Sequence, residues 1–147
     1  MMLSLVIPCY NEALNIPLLL ERCDGVAKPE QIEVILVDNG STDNSPQVLT
    51  DLLPQYQGCR SIRVAVNQGY GFGILSGLRA AQGEILAWTH ADMQTDPQDV
   101  LRGLAIFEQH SPNIFVKGSR YDRPLGDVAF TVGMSLFETI LLGKPMW

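Results

Sequence analysis

Cysteine is scarce in this sequence. There are three in 147 residues (Cys9, Cys23 and Cys59), an odd number with no Cys-x-x-Cys pair. That excludes a disulfide framework, offers no zinc site, and fits a reducing, cytoplasmic compartment. Basic residues are also few. Ten Lys and Arg face sixteen Asp and Glu, a net charge of −6, which is the reverse of what a non-specific nucleic-acid binder carries. No run approaches the roughly 18 apolar residues of a membrane span. The start, Met1-Met2-Leu3-Ser4, lacks the basic region and cleavage site of a signal peptide, so no leader is expected. Internal repeats, linkers and a Ser/His/Asp or Cys/His arrangement are missing too. What is there is a 46% hydrophobic chain, sufficient for a packed core and of a length that suits one domain over residues 1–147.

Four short runs are continuously apolar rather than alternating, as parallel strands buried on both faces require. They are Leu3–Pro8, Glu33–Asp38, Ile62–Val66 and Glu84–Thr89, with Ile114–Gly118 expected as a fifth. Helix signals lie between them. Asn15 is placed to cap a helix whose apolar face is Ile16, Leu19, Leu20 and Cys23, with Pro17 in its first turn. Ser45-Pro46 and Asp96-Pro97 each put a capping side chain before a proline. A helix through Leu75–Ala81 is expected to end at Gly83 in a left-handed cap. Strands alternating with helices predict an α/β fold with a mostly parallel sheet flanked by helices.

Ligands of such sheets bind beyond the carboxyl ends of the strands. Polar and glycine-rich text follows each one: Pro8-Cys9-Tyr10-Asn11-Glu12, Asp38-Asn39-Gly40-Ser41-Thr42-Asp43, Asn67-Gln68-Gly69-Tyr70-Gly71-Phe72-Gly73, and His90-Ala91-Asp92-Met93-Gln94. Asp38 ends an apolar strand, so its half-desolvated carboxylate needs a donor. A ribose hydroxyl or base N–H could supply it, and so could an Asx-turn closing onto Gly40 or Ser41. In His90-x-Asp92-x-Gln94, an extended chain would point all three side chains one way. Imidazole, carboxylate and amide oxygen together suit Mn2+ or Mg2+ completed by phosphate and water. The alternative is a hydrogen-bonded turn histidine and a solvated glutamine. Gly69-x-Gly71-x-Gly73 has the wrong spacing and the wrong strand for a dinucleotide fingerprint, although a helix N-terminus there favours an anion. His110 sits at a helix end, where a cation suits the dipole. Met134, Phe137, Ile140 and Leu141 have the spacing of a helical packing surface.

Taken in order, these segments resemble the inverting nucleotide-sugar glycosyltransferases of the GT-A fold, the family that includes dolichol-phosphate mannosyltransferases. The matching text is Val6-Ile7-Pro8-x-Tyr10-Asn11-Glu12, Val37-Asp38-Asn39-Gly40-Ser41-Thr42-Asp43, Asn67-x-Gly69 leading to Gly77, Ala80-Ala81-x-Gly83, Ala91-Asp92-Met93-Gln94-x-Asp96-Pro97 and Gly118-Ser119-Arg120. The resemblance implies that Pro8, Tyr10, Glu12 and Asp38 hold the base and ribose of a UDP- or GDP-sugar, with Asn11, Asn39 and Gly69 in the same site. It implies that Asp92 with Gln94, joined by His90, holds Mn2+ or Mg2+ at the diphosphate, where the ion neutralises the leaving group. Arg120 would lie near the donor phosphates or a charged acceptor.

Three positions depart from that pattern. His90 stands where Asp-x-Asp begins in the family, Asn39 replaces the second acid of Asp-Asp-Gly-Ser, and Thr131 stands where phospholipid-acceptor members carry arginine, four residues before Ser135. Such enzymes continue into an acceptor-binding half that supplies the base. This chain is therefore expected to be the donor-binding part, its acceptor a lipid phosphate or cell-envelope glycan. The apolar stretch Val128–Leu142 is expected to pack on further segments, on a partner chain as in a homodimer, or on the inner face of a membrane. Two other functions stay open: a non-catalytic nucleotide-binding module, and a nicotinamide-dependent oxidoreductase resting on the glycine-rich loop.

Overall fold

Leu3–Cys9 (β1) and Ile32–Asn39 (β2) are buried at every residue, which explains why neither run alternates. The computed structural model describes residues 2–110, 114–118 and 125–143. Its other elements are α1 (Ile16–Asp24), α2 (Ser45–Leu52), β3 (Cys59–Val64), α3 (Tyr70–Ala80), β4 (Ile85–Trp88), α4 (Asp99–Gln109) and α5 (Leu125–Leu142). The strands pair in parallel in the order β3-β2-β1-β4, so the expected α/β architecture forms. The chain divides into compact units of residues 1–116 and 117–147.

The sheet separates two apolar clusters. On one face Leu3, Leu5, Ile7 and Cys9 of β1 and Ile32, Val34 and Leu36 of β2 meet Ile16, Leu19, Leu20 and Cys23 of α1, with Leu104 and Phe107 of α4 against the same cluster. On the other, Val6, Ile35 and Val37 lie with Leu78 of α3. That second layer is thin because α3 comes very close. A Cβ at Gly77 would run into Val6 Cγ1 and lie 2.9 Å from Val37 Cγ2, and one at Gly73 would lie 3.2 Å from Pro8 Cβ. Gly73 and Gly77 therefore serve helix-on-sheet packing, while a Cβ at Gly71 would meet nothing within 4 Å.

One carboxylate sits inside the sheet. Glu33 is buried and accepts from Ser4 Oγ at 2.5 Å, the Gln82 N–H at 2.7 Å and Arg60 Nε at 3.0 Å. Arg60 Nη2 also donates to the Ala80 carbonyl at 2.5 Å. Burial by itself would raise the Glu33 pKa. The Ser4, Gln82 and Arg60 donors outweigh it and hold this carboxyl below the usual glutamate range.

The structure corrects several local expectations. Ile114–Gly118 is not a strand: no neighbour pairs with it among the described residues, and a strand requires a ladder partner. Its Phe115 instead lies 6.0 Å, centroid to centroid, from Trp88. β3 begins earlier than the apolar run suggested because its register with β2 extends back to Cys59 opposite Val34. Asn15 stands at the N-cap position of α1 but makes no side-chain capping bond, its amide donating to Glu12 instead. Ser45 lies inside α2, after Asn44, and accepts from the Glu12 N–H across the loops. Asp96 accepts the Gln98 N–H at 2.9 Å and α4 starts only at Asp99. Gly83 does not adopt positive φ. It is tight for another reason, a Cβ there lying 2.7 Å from the Ser4 nitrogen. In α5, Val132, Leu136, Phe137, Ile140 and Leu141 are exposed and Ser135 is buried. Among the described residues no helix is long and apolar enough to cross a membrane.

Two predictions follow from the packing and the buried carboxylate. Gly77→Ala gains up to about 1 kcal/mol of helix propensity but overpacks the α3–sheet contact by about 1–3 kcal/mol. The net expectation is a lower urea midpoint with an unchanged slope. For Glu33, the folded carboxyl binds its proton less readily than the unfolded one. Its contribution to stability is full above the unfolded pKa of about 4.3 and is lost as pH falls through the folded value. A pH series of unfolding midpoints is expected to show a shallower acid limb in Glu33→Gln than in the parent.

Candidate functional site

The segments after β1 and β2 are laced together by backbone N–H groups and short polar side chains. Asn11 N–H donates to Ser41 Oγ at 3.1 Å and Glu12 N–H to Ser45 Oγ at 2.9 Å. In return Asn11 Oδ1 accepts from Thr42 N–H at 2.8 Å and Asp43 N–H at 3.3 Å. Asp43 accepts from Ala13 N–H at 3.3 Å and Ser45 N–H at 2.9 Å, and Asn15 Nδ2 donates to Glu12 Oε2 at 2.6 Å. Asn11 takes a left-handed φ of 57°, which asparagine tolerates better than most residues. Gly40 (φ 73°) makes the turn out of β2 against Val66 and Asn67, and a Cβ there would collide with the Asn67 nitrogen. Three strand ends are thus locked in register.

Strand alternation then sends Asp38 and Asn39 to opposite faces. Asp38 lies in register with Cys9 and Arg63. Its Oδ1 accepts the Ser41 N–H at 2.9 Å, as an Asx-turn would have it. Its Oδ2 is buried with no hydrogen-bond partner, 3.4 Å from Arg63 Nε. Asn39 turns toward α3: its Nδ2 donates to the Gly69 carbonyl at 3.1 Å, while its buried Oδ1 has no partner. A cleft of about 240 Å3 opens here, lined by Pro8, Cys9, Tyr10, Asn39, Asn67, Gly69 and Tyr70. The Arg63 guanidinium offsets the charge of Asp38, whereas the buried Asn39 Oδ1 has no donor, which costs about 1–3 kcal/mol that a donating ligand in the cleft would remove.

Tyr70, the first residue of α3, connects this cleft to the segment after β4. Its ring stacks on His90 with centroids 4.9 Å apart and planes 8° from parallel. Burial, and then the nearby Asp92 carboxylate, push the Tyr70 phenol above its ordinary pKa. His90, Asp92 and Gln94 do not lie on an extended chain. Met93 has φ 63° and Asp92 Oδ1 accepts the Gln94 N–H at 3.1 Å, so the segment bends and Gln94 contributes its backbone. The described residues contain no group of three or more His, Cys, Asp or Glu able to hold a metal.

Of the expected site residues, Pro8, Tyr10, Asn39 and Gly69 share the cleft, Asp38 sits on the opposite face of β2, and His90 and Asp92 reach the cleft border through Tyr70. Asn11 and Glu12 serve the lacing between loops. Arg120 lies outside the described residues. Tyr70 and Arg63 were not singled out by the sequence, although an aromatic flanked by glycines after a strand was a usable signal for the first. The sequence marks Ser45 only as a helix cap and Ser41 only as the end of an Asx-turn. The cysteines are free; burial pushes the Cys23 thiol up to about 12 and the Cys59 thiol up to about 11, so neither is a nucleophile at neutral pH. The lacing has a measurable consequence. Ser45→Ala leaves the Glu12 N–H without its acceptor, and a loss of about 1–3 kcal/mol in urea unfolding is expected.

The chain is similar to known proteins in both sequence and fold. The model of the family described as "Glycosyl transferase family 2" matches residues 4–139. The undecaprenyl-phosphate 4-deoxy-4-formamido-L-arabinose transferase of Serratia proteamaculans is 37% identical over 110 residues, 72% of this chain and 33% of that protein. Its counterpart in Yersinia enterocolitica is 34% identical over the same coverage. The matched stretch therefore spans about a third of these relatives' length. A mannosyltransferase from Pyrobaculum calidifontis, solved in complex with GDP-Man and Mn2+, superposes with a TM-score of 0.64 at 25% identity, covering 76% of this chain and 33% of that one. The S. aureus TarS structure in complex with UDP-GlcNAc has the same fold, with a TM-score of 0.64 at 21% identity over 84% of this chain and 39% of that one. A family match over residues 4–139 and a shared fold lead to one statement: the chain belongs to glycosyltransferase family 2.

Proposed function

We propose that this chain is the donor-binding part of a metal-dependent glycosyltransferase that uses a UDP- or GDP-sugar. The observation that carries the proposal is the cleft at the carboxyl ends of β1, β2 and β3, where the unpartnered Oδ1 of buried Asn39 faces a space bordered by the exposed rings of Tyr10 and Tyr70. A nucleoside fits that chemistry, its ring lying against aromatic faces and its N–H and hydroxyl groups supplying donors. Asp38 Oδ2 is the second acceptor, reached from the other face of β2. The N-terminus of α3 adds exposed N–H groups that favour a diphosphate.

The residues present fit a divalent cation. One oxygen of exposed Asp92 accepts the Gln94 N–H; its other oxygen and a His90 ring nitrogen are O and N donor types that Mn2+ would accept. Two protein ligands suffice where phosphate oxygens and water complete the shell. When bound, the ion supplies charge neutralisation for the departing nucleoside diphosphate. Asp92 and His90 would hold it, Tyr10 and Tyr70 would orient the nucleoside, and Asn39 and Asp38 would accept from the nucleoside. No residue of the described cleft is a candidate general base, so the base and the acceptor site are proposed to belong to other parts of a longer protein. The relatives' names point to a polyprenyl-phosphate acceptor, which would place the reaction at a membrane surface.

Calorimetric titration of the chain with UDP, GDP and NADH, each with and without Mn2+, tests this reading. The expected result is Mn2+-dependent binding of UDP or GDP, lost in Asp92→Ala, with NADH weaker than either. Tighter NADH binding, or nucleotide binding indifferent to both Mn2+ and Asp92→Ala, would sink the proposal.

A further inference from the structure

We infer that Tyr70 is a positioning residue for the proposed cation site, its ring fixing the plane of the His90 imidazole at the border of the nucleotide cleft. The inference rests on the proposed reading of His90 and Asp92 as cation ligands. An imidazole nitrogen coordinates through a lone pair lying in the ring plane, so whatever fixes that plane aims the ligand atom. Ligating histidines are most often held by a hydrogen bond from their other ring nitrogen. Here the stacked face of Tyr70, 4.9 Å away and 8° from parallel, supplies the constraint. It acts on the ring itself, whereas the hydrogen bonds of neighbouring Thr89, to the Val6 carbonyl at 3.0 Å and with Thr95 Oγ1 at 2.8 Å, hold only the chain beside it.

Tyr70 itself is rigidly supported. It begins α3, which Gly73 and Gly77 press onto Pro8, Val6 and Val37. The preceding Gly69 is fixed on both sides, its N–H donating to Asn67 Oδ1 at 2.7 Å and its carbonyl accepting from Asn39 Nδ2 at 3.1 Å. The same Tyr70 lines the nucleotide cleft. Base-side and metal-side residues are therefore joined through one ring, and nucleotide against Tyr70 steadies the imidazole as well.

The test measures Mn2+ affinity of the 147-residue chain by electron paramagnetic resonance of free Mn2+, with UDP or GDP present. The variants are Tyr70→Phe, Tyr70→Leu, Tyr70→Gln, His90→Ala, Asp92→Ala and the double change Tyr70→Leu with His90→Ala. Tyr70 is 43% exposed, so replacement is expected to leave the fold intact, and urea midpoints check this. Tyr70→Leu and Tyr70→Gln are expected to weaken Mn2+ binding about fivefold or more, and Tyr70→Phe, which keeps the ring, less than twofold by the same reasoning. In the His90→Ala background, Tyr70→Leu is expected to add nothing. Equal affinity in the parent and both ringless variants overturns the inference, as does a Tyr70→Leu loss that persists in full without His90, which marks general packing. Mn2+ binding that survives Asp92→Ala overturns the metal reading and this inference with it. Binding lost in Asp92→Ala but indifferent to Tyr70 overturns the inference alone.

Discussion

The parallel pairing of β1 with β2, dry on both faces, is the constraint from which the rest of the structure follows. A strand covered on both sides can carry polar side chains only where another group meets them or where the strand ends. Ser4 and Glu33 illustrate the first case, satisfied by each other, by Arg60 and by the Gln82 N–H. Asp38 and Asn39 illustrate the second. Burial therefore concentrates chemistry at the carboxyl edge, which is where open parallel sheets bind ligands.

Closeness of α3 to the sheet is the second consequence. With Gly73 and Gly77 in contact with the strands, the helix start is brought level with the ends of β1 and β2, and Tyr70 arrives at the cleft. A larger residue at either glycine would lift α3 away and separate Asn39 from Gly69. Packing on the α3 face of the sheet and geometry at its edge are thus one problem, solved by the same residues.

Stability and site are also coupled through the serines. Ser41 and Ser45 do not cap helices; they accept N–H groups from the neighbouring loop. Asparagine and aspartate at positions 11 and 43 complete the exchange. These contacts spend the polar groups of Asn11 and Glu12 on structure, while Asn39 Oδ1 has no donor and Asp38 Oδ2 only the Arg63 ion pair. Family resemblance treats all four as one set of site residues, but the hydrogen bonds divide them into two kinds.

Much of this was legible in the sequence. Apolar runs without alternation gave β1, β2 and the parallel sheet, because full burial leaves an unmistakable composition. Motifs after each strand gave the family and the polar edge of the sheet, because backbone turns and polar recognition use few residue types. Other features depended on partners far away in the chain. Asp38 and Asn39 are adjacent, yet alternation along β2 sends them to opposite faces. His90 and Tyr70 are twenty positions apart and meet only because β4 pairs with β1 beneath α3. Ile114–Gly118 has a strand's composition but no ladder to join. Local preference is written in neighbouring residues. Which hydrogen bonds are made, and which acceptors are left waiting, is decided only when separate segments pack together.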